Sequence, residues 1–142
     1  MAAINDRPVI WSGCASPINA LYYESAPLDE DLVVLGEVGF HFTLKSSTTD
    51  ADLVVMLYEK DTEGEFSNIS IGGGKLSFRE EGELTGLVTP GLAVELNGTL
   101  AGTAYRVEKG NTLFLMLSAQ GCWFHENPNT GQQVGYETWV KA

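Results

Sequence analysis

Leu113-Phe114-Leu115-Met116-Leu117 is an unbroken apolar run, opened by the turn pair Gly110-Asn111 and closed by Ser118-Ala119-Gln120-Gly121. A run of that length between turn formers predicts a strand covered on both faces rather than a helix. Alternation sends Leu113, Leu115 and Leu117 to one face and Phe114 and Met116 to the other. Leu53 to Tyr58 is a second uninterrupted run and is placed as a central strand. Elsewhere the apolar residues alternate. Val38, Phe40, Phe42 and Leu44 interleave with Gly39, His41, Thr43 and Lys45, and Leu92, Val94 and Leu96 with Ala93 and Glu95. That is the pattern of strands with one face in a core and one in water.

No helical periodicity is sustained for ten residues. Strands are expected also at 9–12, 21–25, 66–71, 75–79, 103–107 and 134–140. Asp61-Thr62-Glu63-Gly64-Glu65 reads as a hairpin connection, Gly72-Gly73-Gly74 as a break at a bulge or wide turn, and Asn97-Gly98 as the close of the strand that begins at Leu92. Eight to ten strands separated by turn chemistry predict an all-β fold, an antiparallel jelly-roll β-sandwich like the galactose-binding domains. The 142 residues suffice for one domain, which at this size buries roughly 70% of the surface its unfolded chain exposes. Residues 1–20, with Pro8, Trp11 and Pro17, read as an N-terminal arm and 21–142 as the sandwich.

Nineteen acidic against eight basic residues give a formal charge of −11. Nucleic acid and anionic membrane surfaces are poor partners for such a chain, since both are recognised through basic patches. No run of eighteen apolar residues exists to span a bilayer, and the first residues lack the basic-then-apolar order of a signal peptide. The expected location is cytoplasmic. Cys14 and Cys122 match no metal or redox spacing. Two buried thiols, or a disulfide pinning the arm to the last loop, are the readings open to them.

Catalytic chemistry finds little to work with. There is no G-x-S-x-G nucleophile elbow. A metal centre would need several converging histidines and a carboxylate, and the only histidines are His41 and His125, at separate sites. No catalytic residue, metal or cofactor is expected. The carboxylates cluster in turns (29–31, 50–52, 80–83) and read as a solvated acidic surface. Trp123, His125, Asn127 and Asn129 concentrate aromatic and amide groups in one loop, the chemistry of a small carbohydrate-like ligand site. In a two-sheet sandwich, inward leucines leave Phe114 and Met116 on the outer face. Two large apolar groups there call for cover, from a second copy of the chain in a homodimer or from the arm carrying Trp11.

Several runs resemble a known family. They are Ser25-Ala26-Pro27-Leu28-Asp29-Glu30-Asp31-Leu32 with Gly36, Asp50-Ala51-Asp52-Leu53-Val54-Val55-Met56-Leu57, and Gly74-Lys75-Leu76-Ser77-Phe78-Arg79. Tyr105-Arg106-Val107-Glu108-Lys109-Gly110 and Phe124-His125-Glu126-Asn127-Pro128-Asn129-Thr130-Gly131 complete the set. In order and spacing, across about residues 20–135, they resemble the C-terminal β-sandwich of the X-Pro dipeptidyl-peptidase and cocaine-esterase (CocE/NonD) serine hydrolases. The resemblance implies a non-catalytic module that packs on an α/β-hydrolase domain. None of the family's catalytic residues has a counterpart here. After Gly110, where the family usually carries His-Arg-apolar-Arg, this chain has Asn111-Thr112-Leu113-Phe114. The expected partner is thus a hydrolase domain or a second copy, with a carbohydrate at the 123–129 loop as the alternative.

Overall fold

A computed structural model describes residues 2–3, 20–80 and 83–119, and among these the structure is all-β apart from one 3-10 turn at Leu76–Phe78. The strands are β1 (Ala2–Ala3), β2 (Ala20–Glu24), β3 (Leu32–Lys45), β4 (Asp52–Lys60), β5 (Phe66–Lys75), β6 (Ala93–Val107) and β7 (Thr112–Ser118). Every pairing is antiparallel, in the order β1-β2-β7-β4-β5-β6-β3. The strands expected at 9–12 and 134–140 lie outside the described residues.

β4 and β7 sit side by side with Met56 opposite Met116, in the middle of the sheet. Residues 52–59 of β4 are buried without exception. On one face lie Leu53, Val55 and Leu57 of β4 and Leu117 of β7, in a cluster that also takes in Tyr23, Phe42, Leu44, Leu96, Leu100 and Val107. On the other lie Val54, Met56 and Tyr58 with Phe114, Met116 and Tyr22. The alternation read from Leu113–Leu117 therefore holds, and both faces are covered.

β3 and β6 form a long ribbon. Their residues Phe42, Leu44, Leu96 and Leu100 enter the same cluster as β2, β4 and β7, so the sheet curls over on itself into a half-barrel with the core inside. The fold-over is at the glycine triplet. β5 meets β6 at the single pair Gly72↔Leu100, and a Cβ at Gly72 would lie 2.6 Å from the Thr99 carbonyl oxygen and 2.9 Å from the Leu100 Cα. One at Gly74 would lie 3.1 Å from a Leu96 methyl. The glycines, expected from sequence to break the strand, instead lie within it. They let one backbone cross close to another.

Three further expectations are corrected. β6 is one strand of 15 residues running through Asn97-Gly98, which pair with His41 and Phe40 of β3. Its ladder shifts between Gly36 and Val38, and burial moves from Leu96 and Leu100 to Val107, with Ala101 and Gly102 both exposed. This is a bulge, not a loop. β3 begins at Leu32, six residues before the alternation from Val38. The stretch 75–79 is the end of β5 and the 3-10 turn rather than a strand. The hairpin at 61–65 is as expected: Gly64 takes φ +90°, and the Asp61 carboxylate accepts the amides of Glu63 and Glu65 at 2.9 Å each.

Candidate interaction surface

The two ends of β4 are each organised by a buried carboxylate. At its C-terminal end Glu59, 8% exposed, accepts the Tyr105 hydroxyl at 2.6 Å, the Asn111 amide at 2.6 Å and the Glu108 backbone N–H at 3.1 Å. One side chain thus fastens β6 and the β6–β7 turn to β4. Burial pushes its carboxyl up, but the three donated hydrogen bonds outweigh that and hold it below the ordinary glutamate value. The same contact, after burial, raises the Tyr105 hydroxyl. The turn is clasped from outside as well. Gly110 N–H donates to the Leu28 carbonyl, Leu28 N–H to that of Asn111, and Lys109 N–H to the Asp31 carboxylate, which also pairs with Arg106. Two of the sequence runs that carry the family resemblance, 25–32 and 105–110, meet here.

At the other end Asp50, 9% exposed, accepts the backbone N–H of Ala51 and of Ser77 and the Ser77 hydroxyl, at 2.9–3.0 Å. Lys75 Nζ lies 3.3 Å from both Asp50 and Asp52. Burial lowers the Lys75 ammonium, and the two carboxylates more than reverse it, so its pKa is raised. Asp50 and Asp52, expected in a solvated acidic surface, are instead buried: each is only 9% exposed. Asp52 faces Lys75 across the β4–β5 ladder, which brings its counter-charge to it.

The connection from β5 to β6, residues 76–92, hangs on this end. The Ser77 carbonyl accepts the N–H of Thr85 (2.8 Å) and of Gly86 (3.2 Å), Val88 N–H donates to Thr49, and Gly91 N–H to Ser46. Arg79 donates to the carbonyls of Leu76 and Gly86 at 3.1 and 2.8 Å. Val88 is buried in the core. On this connection Leu84, Leu87 and Leu92 are 71%, 68% and 61% exposed, and Phe78 43%. The sequence reading passed over Leu84 and Leu87. Their signal was two leucines in a stretch that otherwise reads as loop.

Phe114 and Met116, expected at an interface, are 0% and 1% exposed. Phe114 packs its ring against Tyr22 and Phe66 at centroid distances of 5.6 and 4.9 Å. The chain buries both, so a homodimer through these side chains has no exposed apolar surface at them to rest on. Trp123, His125, Asn127 and Asn129 lie outside the described residues, as do Cys14 and Cys122. His41 is exposed, its Nδ1 2.5 Å from the Asn97 side-chain oxygen. No group of side chains able to hold a metal ion occurs among the described residues, and no helix among them is long and apolar enough to cross a membrane.

The side chains brought together at both ends hold strands, turns and connection to one another. Residues 16–138 match the X-Pro dipeptidyl-peptidase C-terminal non-catalytic domain. The chain belongs to that family. As a member of it, the domain by itself is non-catalytic. Its fold recurs in an aminopeptidase from a marine sediment Thaumarchaeota archaeon, with a TM-score of 0.68 and 21% identity over 82% of this chain and 21% of that one. It recurs also in an α-amino acid ester hydrolase, with a TM-score of 0.68 and 18% identity over 82% of this chain and 20% of that one. A third is a CocE/NonD family hydrolase from Staphylococcus aureus, with a TM-score of 0.66 and 15% identity over 86% of this chain and 27% of that one. The chain thus spans between a fifth and about a quarter of the length of these proteins. No curated protein matches the sequence.

Proposed function

We propose that this member of the X-Pro dipeptidyl-peptidase C-terminal domain family acts through protein contact, as an accessory β-sandwich that packs on an α/β-hydrolase catalytic domain and stabilises it, whether the two are joined in one polypeptide or separate. The observation that carries this reading is the division of labour in the side chains. The buried carboxylates Glu59 and Asp50 are spent on internal struts, while large apolar side chains stand exposed on a pinned connection. Exposed apolar groups on a fixed frame suit a protein partner better than a small polar substrate. The sizes agree, because the hydrolases sharing this fold devote most of their length to other parts.

The test is to mix the chain with the α/β-hydrolase catalytic domain made in the same cells, produced without any β-sandwich of its own. The expected result is a 1:1 complex in sedimentation velocity and a raised Tm of the catalytic domain. The chain alone should hydrolyse aryl esters and X-Pro amides no faster than buffer. Sedimentation as two independent species at tens of micromolar would overturn the reading.

A further inference from the structure

We infer that the β5–β6 connection, through its exposed Phe78, Leu84, Leu87 and Leu92, is the docking surface for that catalytic domain, an inference that rests on the reading above and names its contact. Three properties of the connection favour it. Its chemistry is wrong for water: Leu84, Leu87 and Leu92, three leucines more than 60% exposed, lie within nine residues. Its conformation is fixed before any partner arrives, because Ser77, Thr49 and Ser46 hold its amides and Arg79 holds two of its carbonyls. A pre-organised contact surface loses little further freedom on binding, and that is where interface anchors gain most.

The third property selects the occupant. Glu80 and Glu83, both exposed and bridged to each other on the same connection, give it negative charge on a chain of −11, so it fits an apolar partner surface that carries basic groups and disfavours a second copy of itself. Among the described residues the other exposed apolar pair, Val33 and Leu35, is at 66% and 80% and lies at the far end of the β3–β6 ribbon, opposite Arg106 and Ala104. It is a built-in control.

The experiment compares three proteins with the same catalytic domain by isothermal titration calorimetry: wild type, Leu84→Glu/Leu87→Glu, and Val33→Glu/Leu35→Glu. The expected result is an affinity loss on the order of 100-fold for the loop variant, as for two anchors of an interface centre, with its Tm unchanged and the ribbon variant binding like wild type. Wild-type affinity should also fall as salt is raised. If wild type binds and the loop variant binds equally well, the surface assignment is wrong while the accessory function stands. If wild type does not bind at all, both fall. A wild-type dimer that the loop variant dissolves would overturn the hydrolase assignment in favour of self-association.

Discussion

The two ends of β4 use the same device to opposite effect. At the Glu59 end a buried carboxylate gathers donors from Tyr105, Glu108 and Asn111 and the surface above it is a polar turn clasped by Asp31. At the Asp50 end a buried carboxylate gathers donors from Ala51, Ser77 and Lys75, and the surface above it is apolar. One end is finished within the domain. The other is built stiff and left bare, and stiffness without cover is what distinguishes a contact surface from a closed edge.

Glu59→Ala should produce the largest loss. It strands a backbone N–H, an amide and a hydroxyl around a buried site, which costs about 3 kcal/mol, read as a lowered urea midpoint with unchanged m-value. Asp50→Ala should cost less, about 2 kcal/mol, because Lys75 can turn to water and the Ser77 hydroxyl can rotate. It should also speed amide exchange at Thr85 and Gly86, whose acceptor is the Ser77 carbonyl. A loss at Asp50 exceeding that at Glu59 would break the comparison, since the bare end would then be the principal staple of the fold.

How much of this was legible from sequence depended on distance along the chain. The runs Leu53–Tyr58 and Leu113–Leu117 and the hairpin at Asp61–Glu65 carry their instructions locally, in apolar residues bounded by turn formers. Asn97-Gly98 misleads for a physical reason. The pair is a strong turn signal, but a Cβ at Gly98 would run into the Phe40 ring, so this glycine makes room for a ring on the neighbouring strand. Gly72 likewise answers to the backbone of β6. What a glycine is for depends on what crosses it, which local pattern does not contain. The Glu59 strut was illegible on the same grounds: Tyr105 and Asn111 are 46 and 52 residues away. The leucine loop was readable in principle, because exposed loops rarely spend three leucines.

Acid should separate the ends by a smaller effect. Glu59 and Glu24 both titrate below the ordinary value of 4.5 in the folded chain. For Glu24, as for Glu59, burial pushes upward and is outweighed, here by hydrogen bonds from Lys60 and Thr112 and by the Lys60 charge. The unfolded chain therefore binds these protons more readily. The stabilisation is complete above pH about 4.5 and is lost as pH falls through the lower folded values. Urea midpoints from about pH 6 downward should stay level and then fall, and Glu59→Gln should flatten the fall. An equal slope in wild type and Glu59→Gln would show that the strut does not carry the acid sensitivity.

The smallest expected change is at the bare end and is the sharpest contrast. Leu84→Ser and Leu87→Ser remove large side chains, yet both are about 70% exposed, so little apolar surface returns to water that was not already there. Their cost to the isolated domain should stay within about 0.5 kcal/mol, whereas Val88→Ala, a residue away and buried in the core, should cost more than either. Thermal melts of the three variants decide it. Loss of stability in the two serine variants comparable to that of Val88→Ala would mean that the leucines pack within the domain, and the two ends of β4 would then differ only in polarity.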